Sequence, residues 1–150
     1  MNGMFSACSA LKTIPFFNTQ LNNDFTNFVS GCSALQTIPP LNTSLATNVT
    51  SMFATCPCLT KIPALNLGNI TTAGNLGNLF LSCFNLANVA ATGMKISFSV
   101  TGCKLSAAAL NTIYTNLATV VGQTITVTNN YGTATDNPAI ATAKGWTVTG

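Results

Sequence analysis

Histidine, glutamate and arginine are missing from this 150-residue chain, and its only charges are Lys12, Lys61, Lys95, Lys104, Lys144, Asp24 and Asp136. Each absence removes a class of function. Without histidine, neither a Ser-His-Asp nor a Cys-His arrangement can be built within the chain. The two aspartates lie in unrelated polar stretches, NNDFTN and TDNP, so paired acid–base chemistry, including the two-carboxylate hydrolysis of glycosides, is not expected. With no arginine and with lysines scattered singly, nucleic-acid binding lacks both its electrostatic footprint and its bidentate base reader. Mean hydropathy is +0.43, yet Asn, Thr, Ser, Gly or Pro break every apolar stretch well short of the ~18 residues that suggest a membrane span. The opening MNGMFSACSAL has no basic segment followed by a continuous apolar run, so it does not read as a signal peptide. The sequence therefore leads us to expect no enzyme activity, no cofactor, no metal, no nucleic acid and no membrane insertion.

Hydrophobic residues make up 47% of the chain and charged residues 5%, against about 25% charged in ordinary domains. Hydration of the surface falls to asparagine and threonine, roughly a quarter of the sequence. Such a coat suits a protein exposed outside cells or held in an assembly.

The apolar residues are arranged as a repeat. MFSACSALKTIPFFN, FVSGCSALQTIPPLN and MFATCPCLTKIPALN follow one another, with Cys8, Cys32 and Cys56 at 24-residue steps. Leu11, Leu35 and Leu59 keep the same register, as do Ile14, Ile38 and Ile62, and Asn18, Asn42 and Asn66. A fourth unit, LFLSCFNLANVAATG, retains Cys83, Leu86 and Val89, with its cysteine 27 residues after Cys56. A fixed period of this length signals stacked units that bury their apolar faces on one another. A short strand is expected in each LxxIP segment, bent or curtailed by Pro15, Pro39 and Pro63.

From Met94 the pattern changes. Ile96, Phe98 and Val100 alternate with polar residues as a strand does. Ser106 reads as the N-cap of a helix carrying Leu110, Ile113, Leu117 and Val120 on one face and stopping at Gly122. A strand around Ile125 and Val127 follows, then a short helix from Pro138 capped by Asp136 or Asn137, and a last strand at Trp146 and Val148. Alternating strands and helices imply parallel crossovers. The expected fold is α/β: one leucine-rich-repeat solenoid over residues 1–150 with a continuous parallel β ladder. Its regular repeats, about 4–93, have an irregular outer face; its closing repeats, about 94–150, carry helices there. The first unit starts without a polar cap, and we expect another subunit, another chain or further sequence to cover it.

The M-F-x-x-C leader, the C-x-x-L-x-x-I-P core and the following L-N-T resemble the BspA-like branch of the leucine-rich repeats. The segments LSAAALNTIYTNL, ITVTNN and ATAKGWTV resemble the closing units of such domains in bacterial surface proteins and phage tail or fibre proteins. The resemblance implies a recognition or structural module: an exposed virion component such as a phage tail or head fibre, with an adhesin domain on a bacterial cell surface and a structural cement between virion subunits as alternatives. Its partners would be copies of itself or neighbouring virion subunits, and a host-surface glycan or protein.

Among individual residues, Cys8, Cys32, Cys56 and Cys83 read as a column of small buried residues, in preference to disulfide partners or to Cys56-Pro-Cys58 as half a metal site. The asparagine column reads as an internal ladder whose amides satisfy turn backbone between units. Lys12, Phe16, Pro40, Lys61 and Ala64 are the candidate binding face.

Overall fold

The computed structural model describes residues 1–150. Its regular elements are strands β1 (Lys61–Asn66), β2 (Asn88–Thr92) and β3 (Phe98–Ser99), helix α1 (Ala107–Asn116), strand β4 (Gln123–Thr126), helix α2 (Ala139–Thr142) and strand β5 (Trp146–Thr149). β1 pairs with β2, and β3, β4 and β5 form a separate sheet in that order, all parallel. The expected leucine-rich-repeat solenoid with a continuous parallel ladder is corrected by these observations. Regular structure is low, 9% helix and 17% strand, the sheets hold two and three strands, and no solenoid is evident. In the first two units the expected strands shrink to one isolated parallel bridge, Thr13 to Thr37, and a second such bridge, Asp24 to Asn48, lies in the return paths.

The LxxIP segments hold no left-handed residue; it is the segments ahead of them, from Gly3, Asn27, Ser51 and Asn78, that are folded into turns and add no strands to a ladder. Left-handed residues recur at Gly3, Asn27, Ser51 and Asn78, and again four positions later at Ala7, Gly31, Thr55 and Ser82. Such a conformation every fourth residue cannot be a strand. Amide groups then alternate in use. Met4, Ser6 and Cys8 donate to the carbonyl three residues back, while Gly3, Phe5 and Ala7 donate to Thr26, Phe28 and Ser30 of the next unit. The same alternation carries Asn27, Val29 and Gly31 to Thr50, Met52 and Ala54, and Ser51, Phe53 and Thr55 to Gly77, Leu79 and Leu81. Half of the backbone groups thus close turns and half join layers.

Side chains fill the space behind these turns. Phe28, Val29, Cys32, Leu35, Met52, Phe53, Cys56 and Leu59 are fully buried and belong to one apolar cluster of 39 residues that runs from Ile14 to Trp146. Phe53 and Phe80 stack in adjacent layers, 6.1 Å between centroids. On the opposite side, β1 and β2 pair with a shift between Ile62 and Leu65, the interval that contains Pro63, as expected where a proline removes a ladder donor.

The C-terminal part follows its sequence pattern more closely. The Ser106 side chain accepts from the Ala109 amide and caps α1. The helix ends at Asn116, short of Gly122, and the Lys144 ammonium donates to the Thr115 and Leu117 carbonyls at its end, where a cation complements the helix dipole. The expected side-chain cap on α2 is absent: Asp136 is instead taken by the buried Tyr114 hydroxyl at 2.5 Å. Asn130, 9% exposed, accepts from the Leu105 amide and donates to the Val100 and Val127 carbonyls. Phe98 meets Trp146 edge to face, and the indole donates to the Ala118 carbonyl.

Candidate functional site

The cysteine column forms, with one correction. Cys32, Cys56 and Cys83 are buried, but Cys8 is exposed because no layer covers the first unit. All six cysteines are free thiols. The sulfurs also do something the spacing did not disclose: Cys32 donates to the Phe5 carbonyl at 3.0 Å, Cys56 to Val29 at 3.2 Å and Cys83 to Phe53 at 3.0 Å. Each thiol ties its layer to the one before. Burial pushes Cys56, Cys83 and Cys103 up to about 12, so these sulfurs stay protonated and are poor nucleophiles.

The leucine and isoleucine columns are placed as the register predicts, with Leu35, Leu59, Leu86, Ile14, Ile38, Ile62 and Val89 buried; Leu11, in the open first layer, is only partly so. The asparagine column needs a correction. Asn18, Asn42 and Asn66 are exposed, and their side-chain oxygens accept from Gln20, Ser44 and Gly68, two residues on in the same unit. The bonds between units come from threonines that sequence reasoning missed. Thr19 exchanges two hydrogen bonds with the Asn42 backbone, and Thr43 does the same with Asn66. The signal was present as the in-register pair Asn-Thr at 18–19 and 42–43; Leu67 breaks it in the third unit, where its amide bonds to the Thr92 carbonyl.

The two carboxylates are both occupied. Asp24 accepts from the amide and hydroxyl of Thr26 and from Asn2, and these hydrogen bonds, led by the Thr26 hydroxyl, hold its pKa below the usual range. Asn48 plays the identical part with Thr50, which identifies Asp24 as a turn residue. Asp136 receives Tyr114. No group of three or more His, Cys, Asp or Glu side chains gathers that could hold a metal ion, and no helix is long and apolar enough to cross a membrane.

One flank, uncharged apart from Lys61, is open to contact with another molecule. A depression of about 500 Å³ is lined by Phe16, Asn18, Gln20, Pro40 and Asn42, among others. A second of about 600 Å³ continues from Pro40 past Gln36, Thr60, Lys61, Pro63 and Ala64. Four of the five candidate face residues thus share this flank, with Pro40 between the two hollows; Lys12 is exposed but lines neither. Phe16 is 74% exposed. An apolar ring beside amides and hydroxyls can hold an uncharged polar surface by contact and hydrogen bonds. No family model matches the chain, and no curated protein or solved structure matches it.

Proposed function

We propose that this protein is a non-enzymatic structural and recognition module, an exposed virion component of a phage tail or head fibre held in place by subunit contacts. The observation that carries the reading is the face of the first layer. Met4 is 55% exposed, whereas Phe28, Met52 and Leu79, its counterparts in later layers, are at most 1% exposed. The Asn2, Met4 and Ser6 carbonyls accept no backbone hydrogen bond, while their counterparts Thr26, Phe28 and Ser30 each accept one. An apolar face with a row of unpaired acceptors is a template for another polypeptide layer, and a neighbouring subunit is one source of such a layer. The likeness of the C-x-x-L-x-x-I-P repeat to surface and fibre proteins supports the same assignment.

Sedimentation of the full chain over a wide concentration range tests the homo-oligomeric form of this reading. Reversible growth in mass that Met4→Lys abolishes is the expected result. A wild-type monomer at every concentration refutes self-contact through this face.

The exposed Phe16 and its uncharged surroundings favour a second reading, an adhesin domain of a bacterial surface protein that binds a host protein or glycan. Binding of the isolated protein to cells or to a glycan array, lost in Phe16→Ser, supports it; no binding to either counts against it.

A further inference from the structure

The layer-to-layer hydrogen bonding described above fails at one internal junction. Asn78, Phe80 and Ser82 occupy the positions of Ser51, Phe53 and Thr55, whose amides all donate to the next layer. In the fourth layer these three amides have no partner, and the carbonyls of Ser99 and Thr101, residues that line one depression with Asn78, Phe80 and Ser82, accept nothing. The thiol ladder stops at the same place, because Cys103 makes no bond like those of Cys32, Cys56 and Cys83 to the layer before. Yet the junction is closed on its other side, where the Lys104 amide donates to the Leu86 carbonyl. Cys103 follows Cys83 by 20 residues, a shorter step than any within the cysteine column, and between the two the turn backbone gives way to strand β3. The two backbone forms do not lie flush.

A depression of about 370 Å³ occupies this seam, lined by Phe80, Leu81, Phe84, Ser99, Thr101 and Asn129, among others. Leu81 and Phe84 stand 53% and 56% exposed at its rim, whereas Phe80 is 2% exposed with its amide unsatisfied. A buried amide without a partner is rare in folded proteins because the missing bond is costly. None of the lining residues carries a charge.

We infer that the seam between the fourth layer and β3 is a binding site for an uncharged peptide segment, held by its main chain with an apolar side chain against Leu81 and Phe84. The residues that carry these donors and acceptors line the same depression. A peptide backbone running along the seam accepts from Asn78, Phe80 and Ser82 on one side and donates to Ser99 and Thr101 on the other, as each layer of this chain does to its neighbours. Strand addition of this kind draws affinity from main-chain bonds and selectivity from side-chain pockets. The site is independent of the first-layer face, which lies at the other end of the repeat.

A probe exists in the chain itself: an acetylated, amidated heptapeptide with the sequence of residues 49–55, whose backbone makes both sets of bonds in its own layer. Titrated into the ¹⁵N-labelled full chain, it shifts the Asn78, Phe80 and Ser82 amides saturably and slows their hydrogen exchange. Methylating the peptide nitrogens at the positions of Ser51, Phe53 and Thr55 weakens binding at least about tenfold, since several main-chain bonds are lost together. Phe84→Ser, at an exposed position, weakens it by about tenfold through lost apolar contact. Saturable binding with equal affinity for the methylated peptide overturns the proposal, as does binding that shifts residues 2–7 and not 78–82. So do the absence of saturable binding and free-protein exchange at Asn78, Phe80 and Ser82 as slow as at Phe53, which would mean that the seam is closed.

Discussion

Replacing Thr43 by valine tests whether threonine hydroxyls, rather than the asparagine column, join the layers. Thr43 is 1% exposed; its hydroxyl donates to the Asn66 carbonyl at 2.9 Å and accepts from the Asn66 amide at 2.8 Å. Valine fills nearly the same volume, so no cavity contributes to the result. Two hydrogen bonds at a net ~1 kcal/mol each are lost, and stranding the Asn66 groups adds about 1–3 kcal/mol for whichever water cannot reach. The more apolar methyl offsets about 1 kcal/mol, which leaves an expected destabilisation of about 2–4 kcal/mol. With a urea slope of ~2 kcal/mol per molar, the midpoint falls by roughly 1–2 M. Thr47→Val is the control: Thr47 is exposed and makes one bond, to the Asn23 carbonyl at 3.2 Å, and its loss costs under about 0.5 kcal/mol. Equilibrium unfolding followed by circular dichroism measures both. Equal midpoints for the two variants would refute the reasoning and return the inter-layer role to other groups.

Native protein treated with a thiol reagent near neutral pH is expected to react quickly at two of its six cysteines, the exposed Cys8 and Cys58, and at all six once unfolded; rapid labelling of Cys56 would contradict its burial. Burial raises Cys56, Cys83 and Cys103 from 9.0 to about 12, so the folded state holds these protons more tightly than the unfolded one. Their contribution is complete below pH 9 and is lost as the pH rises towards 12; a urea midpoint unchanged between pH 8 and 11 would exclude it. Gly132→Ala places a methyl group 2.0 Å from the Ala107 backbone nitrogen; overpacking of this kind costs about 3 kcal/mol, read as a lower melting temperature. Thr55 holds φ 57 where the second layer has Gly31 at φ 78. Thr55→Gly relieves a left-handed β-branched residue and raises stability by up to about 1 kcal/mol, and a lower melting temperature would show that the threonine side chain outweighs its strain.

Much of the chain could be read before folding because its information is local or strictly periodic. Ser106 and the apolar spacing after it placed α1, and the alternation at 96–100 and 123–127 placed β3 and β4. The columns of Leu35, Leu59 and Leu86 and of Cys32, Cys56 and Cys83 were predictable because a side chain recurring at a constant step must meet its own kind when units stack. The same registers located the flank shared by Phe16, Pro40, Lys61 and Ala64, though not its two hollows, which need neighbouring backbones to form their walls.

The backbone form was decided elsewhere. Apolar periodicity reports which side chains face inward but not whether the chain between them is extended or turned. Left-handed residues such as Ala7, Ser51 and Thr55, types with no strong sequence signal for that conformation, make turns of the M-F-x-x-C segments. The acceptor for each cysteine sulfur and each Thr19 or Thr43 hydroxyl is a carbonyl 23 to 30 residues away in the chain, and no spacing names it. The seam at Phe80 is the clearest case. Turn backbone at residues 78–82 is followed by strand β3, and the three amides left without a partner there arise only once both have folded.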